Sequence, residues 1–206
     1  GGLVSPQLDN ATLLTFSRFI RQVLGSNNID FRTDYRMLPK ESGGPYDLMV
    51  GRPFRIADID DSDVIVTLGS DLLKEHPNEY LRIRKAYNFR DASVYSFNPY
   101  EVKSSDIARF GSVYRPGTEE IVLNGLGLAA IEGNMVPSER VGDLKDKIAP
   151  STLAEASKLS GVSEEHLKEV ARGLANANKV TMFGGEIVSR SRDREQIAAA
   201  MHNLNR

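Results

Sequence analysis

The sequence predicts an α/β fold in which a parallel sheet is flanked by helices, and three observations carry that expectation. Val64, Ile65, Val66 and Leu68 form a short apolar run ending at Gly69, the pattern of a strand buried on both faces. A helical stretch from about Pro77 to Tyr87 follows, and Ala92 to Phe97 then reads as a second strand stopped by Asn98-Pro99. Two strands separated by a helix of that length form a βαβ unit, which requires parallel pairing. Further along, Val180 to Phe183 reads as a third strand, ending in Gly184-Gly185.

The remaining elements follow in order. Asp9 or Asn10 can cap a first helix that carries Leu13, Phe16, Ile20, Val23 and Leu24 on one face. Gly25-Ser26-Asn27-Asn28 supplies a left-handed stop and a loop. Residues 31–57, with Pro39, Gly43-Gly44-Pro45, Gly51 and Pro53, read as irregular. The first strand is entered through an acidic segment, Asp58, Asp60, Asp61 and Asp63, and left through a short polar loop. Pro77 suits a first helical turn, where its missing N–H is no loss. After Pro116-Gly117, Thr118 can cap a helix with Glu119 and Glu120 in its first turn. Residues 133–150 read as loop or short helix. Thr152-x-x-Glu155 is a capping-box pattern opening a helix with Leu153, Ala156 and Leu159 apolar, which Gly161 ends. Ser163 can cap the next helix, where Leu167, Val170, Ala171 and Leu174 share a face. A last helix from about Arg194 carries Ile197, Ala200, Met201 and Leu204. The layering is Rossmann-like. The helical pair over 151–176 packs against the sheet or joins two such units, giving a subdivision into an α/β unit (1–149) and a helical pair with the start of a second unit (150–206).

Composition narrows the function classes. The chain has 206 residues, 40% hydrophobic and 26% charged, ordinary values for a globular protein with a real core. Its net charge of −2 implies no general attraction to nucleic acid. No apolar run approaches the roughly 20 residues that cross a bilayer, so direct membrane insertion is not expected. With no cysteine, the chain has no disulfide, thiolate ligand or Cys nucleophile. His76, His166 and His202 lie far apart, so no metal site is expected. The Gly1-Gly2 start and the uncapped Leu204-Asn205-Arg206 end give it the look of a fragment of something longer.

Five places could carry chemistry. Gly69-Ser70-Asp71, at a strand-to-helix junction, could present amides and a hydroxyl to a cofactor phosphate, or form an ordinary βα turn. Glu75-His76-Pro77 offers an acid–base pair beside a cleft, or a carboxylate at a helix start with a turn-ordering imidazole. Gly117-Thr118 could hold one end of a nucleotide or simply cap a helix. Arg82, Arg84, Lys85 and Arg90 could bind a phosphate or an acidic neighbour, or form a solvated helix face. Gly184-Gly185 ends a strand at the ligand side of the sheet with the same ambiguity. No spacing suggests a nucleophilic triad, so no catalytic residue is assigned.

The wording of these segments resembles the molybdopterin oxidoreductase superfamily. The segments are the strand ending in Gly69-Ser70-Asp71, then Glu75-His76-Pro77 and Arg82-Ile83-Arg84-Lys85-Ala86. Gly25-Ser26-Asn27-Asn28-Ile29-Asp30 looks like the family's Gly-Thr/Ser-Asn-Asn-x-Asp. Arg115-Pro116-Gly117-Thr118-Glu119 resembles its Pro-Gly-Thr-Asp/Glu, and Gly161-Val162-Ser163, Ala171-Arg172 and Gly184-Gly185 resemble a later segment. Order and spacing over residues 13–185 carry the resemblance. It implies a formate dehydrogenase-like domain. Within the superfamily the chain looks most like the large iron–sulfur subunit of NADH:quinone oxidoreductase, respiratory complex I, in a region generally regarded as having lost its cofactor. Asn98-Pro99-Tyr100 stands where active members carry Asp-Pro-Arg, which fits such a loss.

This resemblance implies a scaffold with no cofactor of its own, inside a parent that carries iron–sulfur clusters elsewhere. Its partners would be other subunits of the peripheral arm, on the cytoplasmic side of a bacterial membrane. Gly69, Ser70, Asp71, Gly117 and Thr118 would then be a vestigial nucleotide pocket. The alternative is an active molybdopterin-guanine-dinucleotide enzyme such as a formate dehydrogenase, with those five residues holding one nucleotide.

Overall fold

The computed structural model describes residues 1–5, 8–30, 55–142 and 148–204, in two compact units, Gly1–Pro45 and Tyr46–Arg206. Most of the irregular segment read at 31–57 lies outside the described residues.

In the first unit, β1 (Gly2–Leu3) pairs in parallel with β2 (Ile29–Asp30). Between them runs α1 (Asn10–Arg18), continued by a π-helical turn over Phe19–Val23. Asp9 is the cap, its carboxylate accepting the Thr12 N–H at 3.0 Å, and Asn10 is the first helical residue. Gly25 takes the left-handed conformation expected of the stop (φ +61°).

The second unit holds a four-stranded parallel sheet in the order β5-β4-β3-β6. Its strands are β3 (Val64–Leu68), β4 (Ser93–Asn98), β5 (Phe110–Val113) and β6 (Val180–Gly184). Leu68 stands opposite Phe97 on one side and Gly184 on the other. The chain steps outward from β3 to β4 to β5, then returns to place β6 on the far side of β3. The strand order therefore reverses between β3 and β6, the position where open α/β sheets bind ligands at their carboxyl edge.

All five residues of β3 are buried because both sheet faces are covered. On one face, Ile65, Ala92 and Val94 pack with Leu72, Tyr80, Ile83 and Ala86, and with Ile59. These come from α2 (Leu72–Glu75), α3 (Pro77–Arg90) and a 3₁₀ turn over Ile56–Asp61. On the other face, Val64, Val66, Leu68, Tyr95 and Phe97 meet a helical layer. That layer contains α4 (Glu119–Glu132), α6 (Leu153–Ser160), α7 (Glu164–Asn176), α8 (Glu186–Arg190) and α9 (Arg194–Leu204), with the short α5 (Ser138–Val141) between α4 and α6 in the chain. Val122, Leu123, Leu126 and Leu128 of α4 are all buried, so α4 is the central helix, and the predicted helical pair, α6 and α7, packs on it.

One strand is not assigned from the sequence: Phe110–Val113 pairs with β4 from Tyr95↔Phe110 to Asn98↔Val113. Three local expectations are corrected. The polar loop after β3 contains the helical turn α2. Helix α3 runs past Tyr87 to Arg90 and stops at Asp91 in a left-handed conformation. Thr118 occupies the cap position of α4 without capping it: its hydroxyl donates to the Arg115 carbonyl at 2.6 Å. Thr152 and Ser163 do cap, accepting the Glu155 and His166 N–H groups at 3.2 Å.

Candidate functional site

The carboxyl edge of the sheet gathers most of the residues singled out from the sequence. Gly69 leaves β3 with φ +61°, a conformation that strains any residue with a Cβ. Its N–H donates to the Phe97 carbonyl at 2.8 Å. Ser70 and Asp71 follow and are buried, at 1% and 7% exposure. The Ser70 hydroxyl donates to Glu75 Oε2 at 3.1 Å, and the Asp71 N–H donates to Glu75 Oε1 at 2.9 Å. Asp71 Oδ2 pairs with Lys74 Nζ at 2.9 Å, and that bond raises the Lys74 pKa.

Glu75 accepts a third bond, from the Glu186 N–H at 2.9 Å, which begins α8 beyond β6. One carboxylate thus joins the loops after β3 and β6 across the point of strand reversal. Sequence alone offered Glu75 as an acid or as a helix-start charge, and its link to a residue 111 positions away was not visible. His76 is exposed and orders the turn through its backbone: its carbonyl accepts from Tyr80 N–H and its N–H donates to Leu72.

Gly185 completes this closure. Its N–H donates to the Leu68 carbonyl at 2.9 Å. A Cβ placed on Gly185 would fall on the Gly69 carbonyl oxygen and the Ser70 side chain. Only glycine allows the two loops to lie this close.

Gly117 and Thr118 lie on the β5–α4 connection. A Cβ on Gly117 would meet nothing within 4 Å, and its N–H donates to Glu119 Oε1 at 3.3 Å. What links this connection to Gly69 is a pair that no sequence motif marks as a site. Buried Tyr114 places its hydroxyl 3.1 Å from where a Gly69 Cβ would be. That hydroxyl has no aligned hydrogen-bond partner. Burial, and then the negative Glu119 carboxylate nearby, raise the phenol's pKa far above its usual range.

Asn98, ending β4, is 3% exposed. Its amide nitrogen donates to Ser96 Oγ at 3.0 Å, while its Oδ1 has no partner, and neither has Asp71 Oδ1.

Three of the four basic residues of the α3 cluster are neutralised internally, and Arg84 is exposed. Arg82 and Lys85 both reach Asp60 Oδ2, at 2.8 and 2.6 Å, and Arg90 reaches Asp61 at 3.1 Å. The Lys85 bond first, then Arg82, hold the Asp60 pKa below the usual carboxylate value despite desolvation. Among the described residues there is no cluster of His, Asp or Glu that could hold a metal ion. No helix among them is long and apolar enough to cross a membrane.

A parallel sheet covered by helices on both faces, with a strand reversal at its carboxyl edge, defines an α/β protein of Rossmann-like layering. The family described as Molybdopterin oxidoreductase matches residues 1–206, and the chain belongs to that family. The NADPH-Fe(3+) oxidoreductase subunit alpha of Geobacter sulfurreducens is 26% identical over 91% of this chain and 23% of its own length. A formate dehydrogenase 1 subunit alpha of Methanococcus maripaludis is 26% identical over 89% of this chain and 28% of its own. An NADH-quinone oxidoreductase subunit of Mycobacterium tuberculosis is 25% identical over 98% of this chain and 26% of its own. The chain thus spans about a quarter of the length of these relatives. Acetylene hydratase from Pelobacter acetylenicus shares the fold, with a TM-score of 0.70 at 17% identity, covering 99% of this chain and 29% of that one.

The family name implies a molybdopterin in related proteins. The Gly69–Asp71 loop does not fit the phosphate end of such a group in this arrangement. The Gly69 and Asp71 N–H groups and the Ser70 hydroxyl already bond to Phe97 and Glu75, and Gly185 lies against them.

Proposed function

We propose that this chain is a non-catalytic scaffold segment of the large iron–sulfur subunit of a complex-I-type NADH:quinone oxidoreductase. In that assembly electrons pass from NADH to quinone through iron–sulfur clusters carried outside this segment. The segment packages that subunit and contacts neighbouring subunits of a peripheral arm, on the cytoplasmic side of a bacterial membrane. One observation carries the reading: the loop that would cradle a phosphate turns its Gly69, Ser70 and Asp71 donors onto Phe97 and Glu75. Asn98-Pro99-Tyr100, in place of Asp-Pro-Arg, supports it, as does the match to the mycobacterial NADH-quinone oxidoreductase protein over 98% of this chain.

A second reading is favoured by a specific observation: Asp71 Oδ1, Asn98 Oδ1 and Tyr114 Oη are buried without partners, and buried polar atoms are normally paired. In that reading the chain belongs to an active molybdopterin-guanine-dinucleotide enzyme such as a formate dehydrogenase, with Gly69, Ser70, Asp71, Gly117 and Thr118 at the nucleotide.

Ser70→Ala, introduced into the full-length protein in its complex, separates the two. The scaffold reading expects NADH-to-quinone electron transfer per assembled complex to change by less than about two-fold, because the hydroxyl touches no reacting group. A loss of about ten-fold or more in a fully assembled complex overturns it. So does an assembled complex without NADH:quinone activity.

A further inference from the structure

The four basic residues of α3 do not share one role. Arg82 and Lys85 pair with Asp60, and Arg90 pairs with Asp61. Arg84 is exposed and makes no ion pair among the described residues. The positions three and four away along the helix are Tyr80, Leu81, Tyr87 and Asn88, so no carboxylate of α3 can reach it. Beside Arg84 stand the two most exposed large apolar side chains among the described residues of the second unit, Phe89 at 81% and Leu81 at 60%. Leu81, Lys85 and Phe89 are spaced four apart and form one ridge along the helix. Lys85 turns its ammonium to Asp60 at 2.6 Å, which leaves its aliphatic stem on that ridge. The opposite side of α3 is already filled by Tyr80, Ile83 and Ala86 against the sheet, so the core makes no use of the ridge.

We propose that this face of α3 docks a helix of a neighbouring subunit, one that brings an apolar ridge and a carboxylate placed to meet Arg84. The inference rests on the scaffold reading and names the surface through which the segment holds its neighbour. A ridge of residues four apart seats in the groove of a crossing helix. At 14 residues, α3 offers about 20 Å of length for that contact. The composition is that of an interface: an aromatic and a leucine anchor stand beside a guanidinium and the Asn88 amide. Charge decides the chemistry of the partner. A neutral surface laid over the ridge would strand the Arg84 guanidinium away from water without a partner, which is costly. A carboxylate opposite it removes that cost and makes a charge-assisted hydrogen bond. A phosphate is the poorer occupant, because Arg82, Lys85 and Arg90 are already paired. One guanidinium flanked by Leu81 and Phe89 makes no anion cradle.

The test is hydroxyl-radical footprinting of the wild-type complex against the free full-length subunit, read by mass spectrometry at Leu81 and Phe89. Both side chains should be oxidised about ten-fold more slowly in the complex, because a docked helix excludes water from its anchors. Fast oxidation in both samples overturns the proposal, since the face is then open. Slow oxidation in both overturns it too, since the subunit's own chain then covers α3. Arg84→Glu tests the charge. It should speed loss of the docked subunit from the assembled complex by about ten-fold, and a rate within about two-fold of wild type overturns the acidic partner. Footprinting needs no variant, so a variant that fails to fold does not shield the proposal. The two claims fail separately. Stoichiometric molybdenum with pterin in a complex that protects Phe89 sinks the scaffold reading and leaves the docking face intact. An unprotected Phe89 in a molybdenum-free complex removes only the docking face.

Discussion

Between β3 and β6, the donors that leave the carboxyl edge of the sheet meet acceptors: Ser70, Asp71 and Glu186 converge on Glu75, and Gly185 donates to Leu68. Where β4 and β5 end, along the same edge, Asn98 Oδ1 and the Tyr114 hydroxyl are buried with no aligned partner. The difference separates two uses of one architecture. Where backbones can approach through glycine and one carboxylate can reach three donors, the sheet completes itself. Where a strand ends in a buried amide beside a phenol, the structure carries unpaired polar atoms, each a cost to stability unless water or another group meets it.

Substitutions on the two sides should therefore behave differently. The largest effect belongs to Gly185→Ala, whose methyl group would overlap the Gly69 carbonyl. We expect a loss of about 3 kcal/mol, measured by urea unfolding, and a loss under about 0.5 kcal/mol would mean the loops are not in contact. Ser70→Ala removes one donor to Glu75 from a fully buried site and should cost about 1 kcal/mol in the same measurement.

Asp60 lies on neither side and calibrates the electrostatics. Its pKa is held below the usual value by Lys85 and Arg82, so its stabilising contribution is present above about pH 4 and lost as pH falls through the depressed value. Asp60→Asn should lower stability by about 0.5–1 kcal/mol near neutrality. The difference from wild type should vanish toward about pH 2 in thermal melts. Tyr114→Phe should do least. Its hydroxyl has no aligned partner to lose, so a change within about 0.5 kcal/mol is expected. A loss of several kcal/mol would mean that the phenol is paired and that the contrast between the two sides is false.

How much of this could be read from the sequence depended on whether the cause was local. Val64–Leu68 was legible because a strand covered on both faces is continuously apolar. The caps at Asp9, Thr152 and Ser163 were legible because each cap acts within three residues. Thr118 had the same signature, but its hydroxyl found the Arg115 carbonyl instead. Phe110–Val113 carried no strand signal: Phe-Gly-Ser-Val is short, contains glycine and lies at an edge, so its conformation comes from pairing with β4. At the site, the glycines and Ser70-Asp71 were legible as a strand-to-helix junction. The role of Glu75 was not, because its third donor arrives from beyond β6. The charge complement of Asp60 and Asp61 to Arg82, Lys85 and Arg90 was written in the sequence, yet only folding puts Asp60 beside α3.

The most direct test of the central claim is the metal and pterin content of the full-length protein, purified in its native complex, by elemental mass spectrometry and by fluorescence after oxidation. The account predicts iron without stoichiometric molybdenum, tungsten or pterin. Stoichiometric molybdenum or tungsten together with pterin would contradict it and make the junction at Gly69, Ser70 and Asp71 part of a working cofactor site.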